Sequence, residues 1–272
     1  MTHPRHLSQH IGLTVAVTLL LAAFCYADTQ DSADAQKLND LLARTAARTS
    51  SFLEQFSDVK CTEQVRQEKL GKDDKVELKE DSTFDYLAIL TNTGGELNLT
   101  ESRLPVHEAK RDRKNTPMLL SNGFATLFLV FHPYYSSSFK FSFAGSEEIA
   151  GHTFEKIGFQ HIPGTNSPAA LSLRGREYPL ELSGTAWIDP LTGSIAKIES
   201  GIADSLEDVG LKSFNSEIEF APLKFSDSRQ EFWFPTQARV EVETTRQHWR
   251  NLHQFTAYKK FSVTTEETVA QK

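Results

Sequence analysis

The side chains that carry most enzyme chemistry are thinly spread along this chain. Nine histidines occur, and His3, His6 and His10 fall within the first ten residues. The other six are His107, His132, His152, His161, His248 and His253. None lies in an HExxH pattern and no CxxC occurs, so the strong zinc signatures are missing. His248 and His253 have a spacing that puts them on opposite faces of a strand and out of line on a helix. There is no GxSxG elbow, no Walker A pattern and no GxGxxG. SxxK occurs at Ser57/Lys60, Ser137/Lys140 and Ser194/Lys197, each in strand-like sequence or beside a turn. A serine–lysine enzyme needs its Ser at a helix start with the Lys one turn on. Carboxylate pairs such as Glu147-Glu148 and Glu241/Glu243 fall on polar strand faces, whereas acid–base work needs burial to shift a pKa. The sequence therefore nominates no catalytic residue, no metal ligand and no cofactor, and a non-enzyme is expected.

Composition bounds the remaining classes. The chain has 272 residues, 36 acidic against 29 basic, a formal charge of -7, and 19 Phe. That aromatic content belongs to a folded chain rather than a solvated one. The acidic balance excludes a general nucleic-acid binder, because no surplus of cations exists to replace phosphate counterions.

The amino terminus carries an export pattern. Arg5 is the only charged group before Asp28, Ile11–Ala27 is uncharged, and Cys25-Tyr26-Ala27 places small residues at a peptidase site. Residues 1–27 are expected to be a secretory signal and 28–272 a single domain, periplasmic or secreted, with no transmembrane segment in the mature chain. Phe24 is too bulky for lipidation at Cys25. Removal of the signal leaves Cys61 as the only thiol, so no intramolecular disulfide can form and a buried strand position is expected for it.

The elements that must position any site are mostly strands. Residues 31–57 give the one long amphipathic helix pattern, with Leu38, Leu41, Leu42, Phe52, Leu53 and Phe56 on one face and Asp31 or Ser32 as cap. Val59–Leu70 and Val76–Asn92 flank the turn cluster 71–74, and Thr93-Gly94-Gly95 leads into Glu96–Glu101. Phe139–Phe143, Phe214–Phe220 and Ala238–Glu243 alternate apolar with polar, so one face is covered and the other wet. Gly184–Asp189 and Ser194–Ser200 form a hairpin about Pro190-Leu191-Thr192-Gly193. Two stretches break this rhythm. Pro105–Pro117 holds Lys110, Arg111, Arg113 and Lys114 and reads as a solvated basic loop. Ser121–Phe131 is apolar nearly all round and reads as a short helix inside something.

With those elements in place, three segments resemble the outer-membrane lipoprotein carrier superfamily. Gly184–Ile195 is similar to its Ile-Asp-x-x-Thr-Gly hairpin, Phe232-Trp233-Phe234-Pro235 to a Trp-x-Pro strand start, and Tyr258–Val263 to its closing strand. The resemblance implies an α+β, mainly β fold: an unclosed antiparallel barrel or curved sheet wrapped round the long amino-terminal helix and a short apolar one. It implies a non-catalytic protein that binds or carries a lipid or acylated molecule, including lipoproteins, in the cell envelope. Phe124, Leu127, Phe128, Phe131, Phe139, Phe141 and Trp187 are the candidate lining of such a site. The alternative is an envelope interaction or signalling module of the same fold without a ligand cavity, docking a partner protein through strand edges or the basic loop.

Overall fold

The computed structural model describes residues 11–93, 96–106, 125–173, 176–225 and 231–260. The first element, α1 (Ile11–Phe56), ends as expected but begins twenty residues before Asp31. Nothing between Leu13 and Phe56 breaks a helix: there is no Pro or Gly, and Leu and Ala dominate the apolar run. Asp31 and Ser32 are therefore helix-interior positions rather than caps. At the other end the Ser57 amide and hydroxyl both donate to the Leu53 carbonyl, at 3.2 and 3.1 Å, and close the last turn. The chain divides into two compact units, residues 1–43 and 44–272. The first is helix wherever it is described. Everything below concerns the second.

Ten strands form one antiparallel sheet: β1 (Val59–Leu70), β2 (Val76–Thr93), β3 (Glu96–Pro105), β4 (Phe139–Ile149), β5 (His152–His161), and then β8 (Leu182–Ile188), β9 (Ile195–Ile202), β10 (Leu211–Lys224), β11 (Glu231–Thr244) and β12 (His248–Lys260). Between them β6 (Ala170–Leu173) and β7 (Arg176–Pro179) make a separate small hairpin. The order in the large sheet is β3-β2-β1-β12-β11-β10-β9-β8-β5-β4, so β3 and β4 are its outermost strands among the described residues. The sheet is open. Period-two alternation is visible along β1, where Val59, Cys61, Glu63, Val65 and Gln67 are buried and Lys60, Gln64 and Arg66 are exposed. Pro235 stands opposite Phe220 where the β10–β11 register slips, which is where a residue without an amide hydrogen is tolerated.

The hairpin read from sequence forms as β8–β9. Asp189 Oδ1 accepts from the amides of Leu191 and Thr192 at 2.8 and 2.9 Å, and Gly193 has φ +72°. A Cβ on Gly193 would lie 2.7 Å from the Arg44 carbonyl carbon and the Thr45 amide, so the turn sits directly on the helix backbone. Arg44 Nη2 donates to the Pro190 carbonyl at 3.0 Å, and Arg48 Nε to Ser194 Oγ at 3.2 Å. Arg48 also donates to the Glu231 carbonyl and lies 4.6 Å above the Phe232 ring. The carboxy-terminal turns of α1 are thus riveted to β8–β9 and β11.

Ser121–Phe131, read as a short helix, is corrected in part. Ala125–Phe131 is a 3-10 segment, and Ser121–Phe124 lie outside the described residues. A stretch this apolar has no wet side to lay along a surface, and Leu127 to Phe131 are all buried. The short helix α2 (Pro133–Ser136) follows, with the His132 ring accepting from the Tyr134 amide at 3.2 Å. β3 runs on to Pro105, four residues past the expected strand end. Of the expected basic loop, residues 107–117 lie outside the described residues.

Candidate functional site

One face of the sheet is aromatic, and two non-strand segments cover it. From α1, Phe52 packs on Phe234 at 5.5 Å between ring centroids, and Phe56 packs on Phe234 and Tyr86 at 5.8 and 6.3 Å. From the 3-10 segment, Phe128 lies 4.6 Å from Phe52 and 4.4 Å from Phe220. Phe131 meets Phe141 and Phe159 at 5.4 and 5.9 Å. These separations are those of offset and edge-to-face pairs in a packed interior. The space left beside Phe52, Phe128, Ile195 and Phe232 is about 10 Å³, room for one water at most. The described residues pack closely there.

Five of the candidate lining residues meet here. Leu127, Phe128, Phe131 and Phe139 are buried, and Phe141 is half-buried against Phe131 and Phe139. Phe124 lies outside the described residues. Trp187 belongs elsewhere: it packs with Phe154 and Ala196, with Ile149 and Trp233 against them. Its indole donates to Glu147 at 2.9 Å, and the ammonium groups of Lys156 and Lys197 lie 4.9 and 5.0 Å from the ring. Plain alternation explains the difference: Trp187 has the opposite parity to Leu182, Ala186 and Ile188 and stands across from Lys156 and Lys197 on the neighbouring strands.

Sequence reasoning missed a second feature of the covered face, a buried ion cluster across β3, β2, β1 and β12. Glu63 is fully buried, and Arg103 binds it through Nε and Nη2 at 2.5 and 3.0 Å. Arg103 Nη1 donates to Glu101 at 3.0 Å, and the guanidinium lies 5.1 Å from the Tyr86 ring between them. His253 Nδ1 is 2.8 Å from Glu63 Oε1, the oxygen that also accepts from Arg103 Nη2. Burial alone would raise the Glu63 carboxyl pKa. Hydrogen bonds from His253 and Arg103, with the guanidinium charge, outweigh that and hold it below the usual carboxylate range. Burial, reinforced by Glu101, pushes the Tyr86 phenol well up. The neighbouring Cys61 thiol is pushed up to about 12, first by burial and then by the Glu63 charge, against a lowering hydrogen bond with Tyr258. Such a thiol is not a nucleophile. The signal in the sequence was Glu63 itself, a carboxylate on the apolar parity of β1.

The opposite face is polar and carries the larger depressions. One of about 590 Å³ is lined by Gln64, Arg66, Asp81, Glu219, Gln237 and Arg239 among others. Its guanidiniums are paired locally, Arg66 with Asp81 at 2.8 Å and Arg239 with Glu241 at 2.7 Å. Among the described residues no cluster of three or more His, Cys, Asp or Glu could hold a metal ion, and no helix is long and apolar enough to cross a membrane.

No protein-family model and no curated protein matches the sequence. Solved structures align over most of it. A DUF1329 family protein from Desulfovibrio piger is 11% identical with a TM-score of 0.41, covering 81% of this chain and 90% of its own. A domain described as an outer membrane lipoprotein-sorting protein, from Vibrio parahaemolyticus, is 9% identical with a TM-score of 0.40, covering 82% and 93%. A LolA superfamily protein from Nitrosomonas europaea is 11% identical with a TM-score of 0.35, covering 80% and 95%. The open antiparallel sheet described above stands on this chain's own topology and register.

Proposed function

We propose that this chain is an exported, non-catalytic carrier that takes an acyl chain between its 3-10 segment and the aromatic face of the sheet. Residues 1–27 serve as the secretory signal, and the remainder works in the periplasm or outside the cell. The carrying observation is how the aromatic face is covered. A seven-residue segment that belongs to no sheet and follows edge strand β3 in sequence sets Phe128 on Phe220 of central strand β10 and Phe131 on Phe141 and Phe159 toward the β4 edge. Displacement of that segment would uncover Phe220, Phe141 and Phe159 together, a concave apolar surface suited to hydrocarbon. The plug and the ligand then compete for the same rings, so the plugged face is the empty carrier's resting form.

The close packing beneath the plug also favours a second reading. About 10 Å³ of space beside Phe52 and Phe128 is what an interaction or signalling module of this fold would leave there. Binding of a fluorescent fatty-acid probe to wild type and Phe128→Ala separates the two. A carrier binds the probe and binds it more tightly in the variant, because the plug is weaker, while the lost packing costs about 3–5 kcal/mol of stability. A module shows the same destabilisation with no probe binding in either protein, and that outcome sets the carrier aside.

A further inference from the structure

A polar band crosses the covered face of the sheet. Gly184, Ser200, Ser216, Val240, Asn251 and Gln67 stand opposite one another in a single row from β8 to β1. Ser200, Ser216, Asn251 and Gln67 are all buried. Alternation fixes the face they occupy. Ser216 shares the parity of Ile218 and Phe220, the ring on which Phe128 packs, and Ser200 shares that of Ile198. The exposed Glu199 and Asn215 take the other parity. Ser200 and Ser216 are 7% and 6% exposed, yet neither hydroxyl has a hydrogen-bond partner among the described residues. A buried hydroxyl in that state is costly, and alanine would fill either position without the cost.

Taking the chain as a carrier of acyl ligands, we propose that Ser200 and Ser216 seat the polar end of the ligand, and that this end is uncharged, as in a fatty-acid ester. Phe220, Ile218 and Ser216 follow one another at alternate positions of β10, so Ser216 lies about 13 Å along the strand from Phe220 at ~3.3 Å per residue. From the other side, a Cβ on Gly184 would stand 2.7 Å from the tip of the Phe159 ring. That ring, on which Phe131 packs, therefore reaches the strand position directly opposite Ser200. The rings that the 3-10 segment covers thus run up to the two hydroxyls, hydrocarbon on one part and hydrogen-bonding groups at its end. Ser200 and Ser216 are themselves directly opposed, with Cβ atoms about 4.5–5.5 Å apart. One carbonyl oxygen has two lone pairs and can accept from both. Their cross-strand partners Gly184 and Val240, and Ile198, Ile202, Phe214 and Ile218 on their own strands, carry no charge. A carboxylate or phosphate seated there would be buried without a counter-ion, whereas an ester carbonyl would not.

Fluorescence titration at pH 8 tests the seat with a fatty acid labelled at the far end of its chain and with the methyl ester of the same probe. Wild type should bind the ester at least about tenfold more tightly than the ionised acid. The double variant Ser200→Ala, Ser216→Ala should lose about tenfold in ester affinity and hold the acid as before. Its urea midpoint should stay equal or rise, because two hydroxyls without partners are deleted. A merely structural pair would behave the other way, with a lower midpoint and both affinities unchanged. That result, or equal binding of acid and ester by wild type, overturns the seat and leaves the carrier reading standing. Binding of neither probe to wild type removes the carrier reading and the seat together.

Discussion

Glu63→Gln isolates the buried ion cluster with almost no change of shape. The wild-type carboxylate accepts from Arg103 at 2.5 and 3.0 Å and faces His253 Nδ1 at 2.8 Å, fully shielded from water. Removing one partner of a buried pair costs about 3–5 kcal/mol, chiefly because the other charge is stranded. Arg103 keeps Glu101 at 3.0 Å, so the guanidinium is not orphaned and about 3 kcal/mol is expected at pH 7. The pH dependence carries the sharper prediction. The folded-state pKa of Glu63 is depressed, so the unfolded chain binds more protons in the acid range. Its stabilisation is complete above the unfolded glutamate pKa of about 4.3 and drains away as pH falls through the lower folded value. Urea unfolding followed by tryptophan fluorescence, from pH 7 to pH 3, should show wild type and Glu63→Gln converging as the solution becomes acid. Other carboxylates titrate in both proteins, so the difference reports Glu63. A gap of constant size across that range, or no gap at pH 7, refutes the electrostatic account and leaves the cluster as ordinary packing.

Gly193→Ala should destabilise by more than about 1 kcal/mol in chemical denaturation, because φ is positive there and the new Cβ meets helix backbone that cannot rotate away. Equal stability would mean that the hairpin does not press on α1. Cys61 should resist a maleimide at pH 8 in the native protein and react once urea unfolds it, since its thiol pKa stands at about 12 and its side chain is buried. Rapid stoichiometric labelling under native conditions contradicts that placement.

How much of this was legible in the sequence depended on what each residue reported. Val59–Leu70 was readable to the residue because Val59, Cys61 and Val65 alternate with polar residues and Gly71 closes the strand. The β8–β9 hairpin was equally plain, since Asp189 and Gly193 each have a conformation that the turn demands. The start of α1 was misplaced because an export signal and a helix ask for the same Leu- and Ala-rich run, and composition alone does not separate them. Trp187 was grouped with Phe128 because both are large and apolar, yet the alternation of β8, with Leu182, Ala186 and Ile188 on one parity, turns Trp187 to the other face. The ion cluster escaped for a different reason. Arg103 and Glu63 are 40 residues apart and their contact crosses β2, so only the strand order brings them together. Glu63 on an apolar parity, and His253 two residues from Phe255 on the same face, were the available traces of it.

That cluster also bears on how an edge strand can remain ordered with one neighbour. Among the described residues β3 pairs with β2 alone, and an edge ladder is the part of a sheet that frays first. Arg103 reaches over the Tyr86 ring to Glu63 on β1, so the end of β3 is tied to the strand beyond its neighbour and, through His253, to β12. Tyr135 holds the other end at Leu97. The strand is thus fixed at both ends. Weakening the tie should therefore loosen the strand locally as well as lower global stability. Glu63→Gln should speed native-state hydrogen exchange of the Ser102 and Leu104 amides, which face β2, more than that of amides in β10, at pH 7 under conditions where the variant is still folded. Unchanged protection at those two amides would show that the edge is ordered without the cluster.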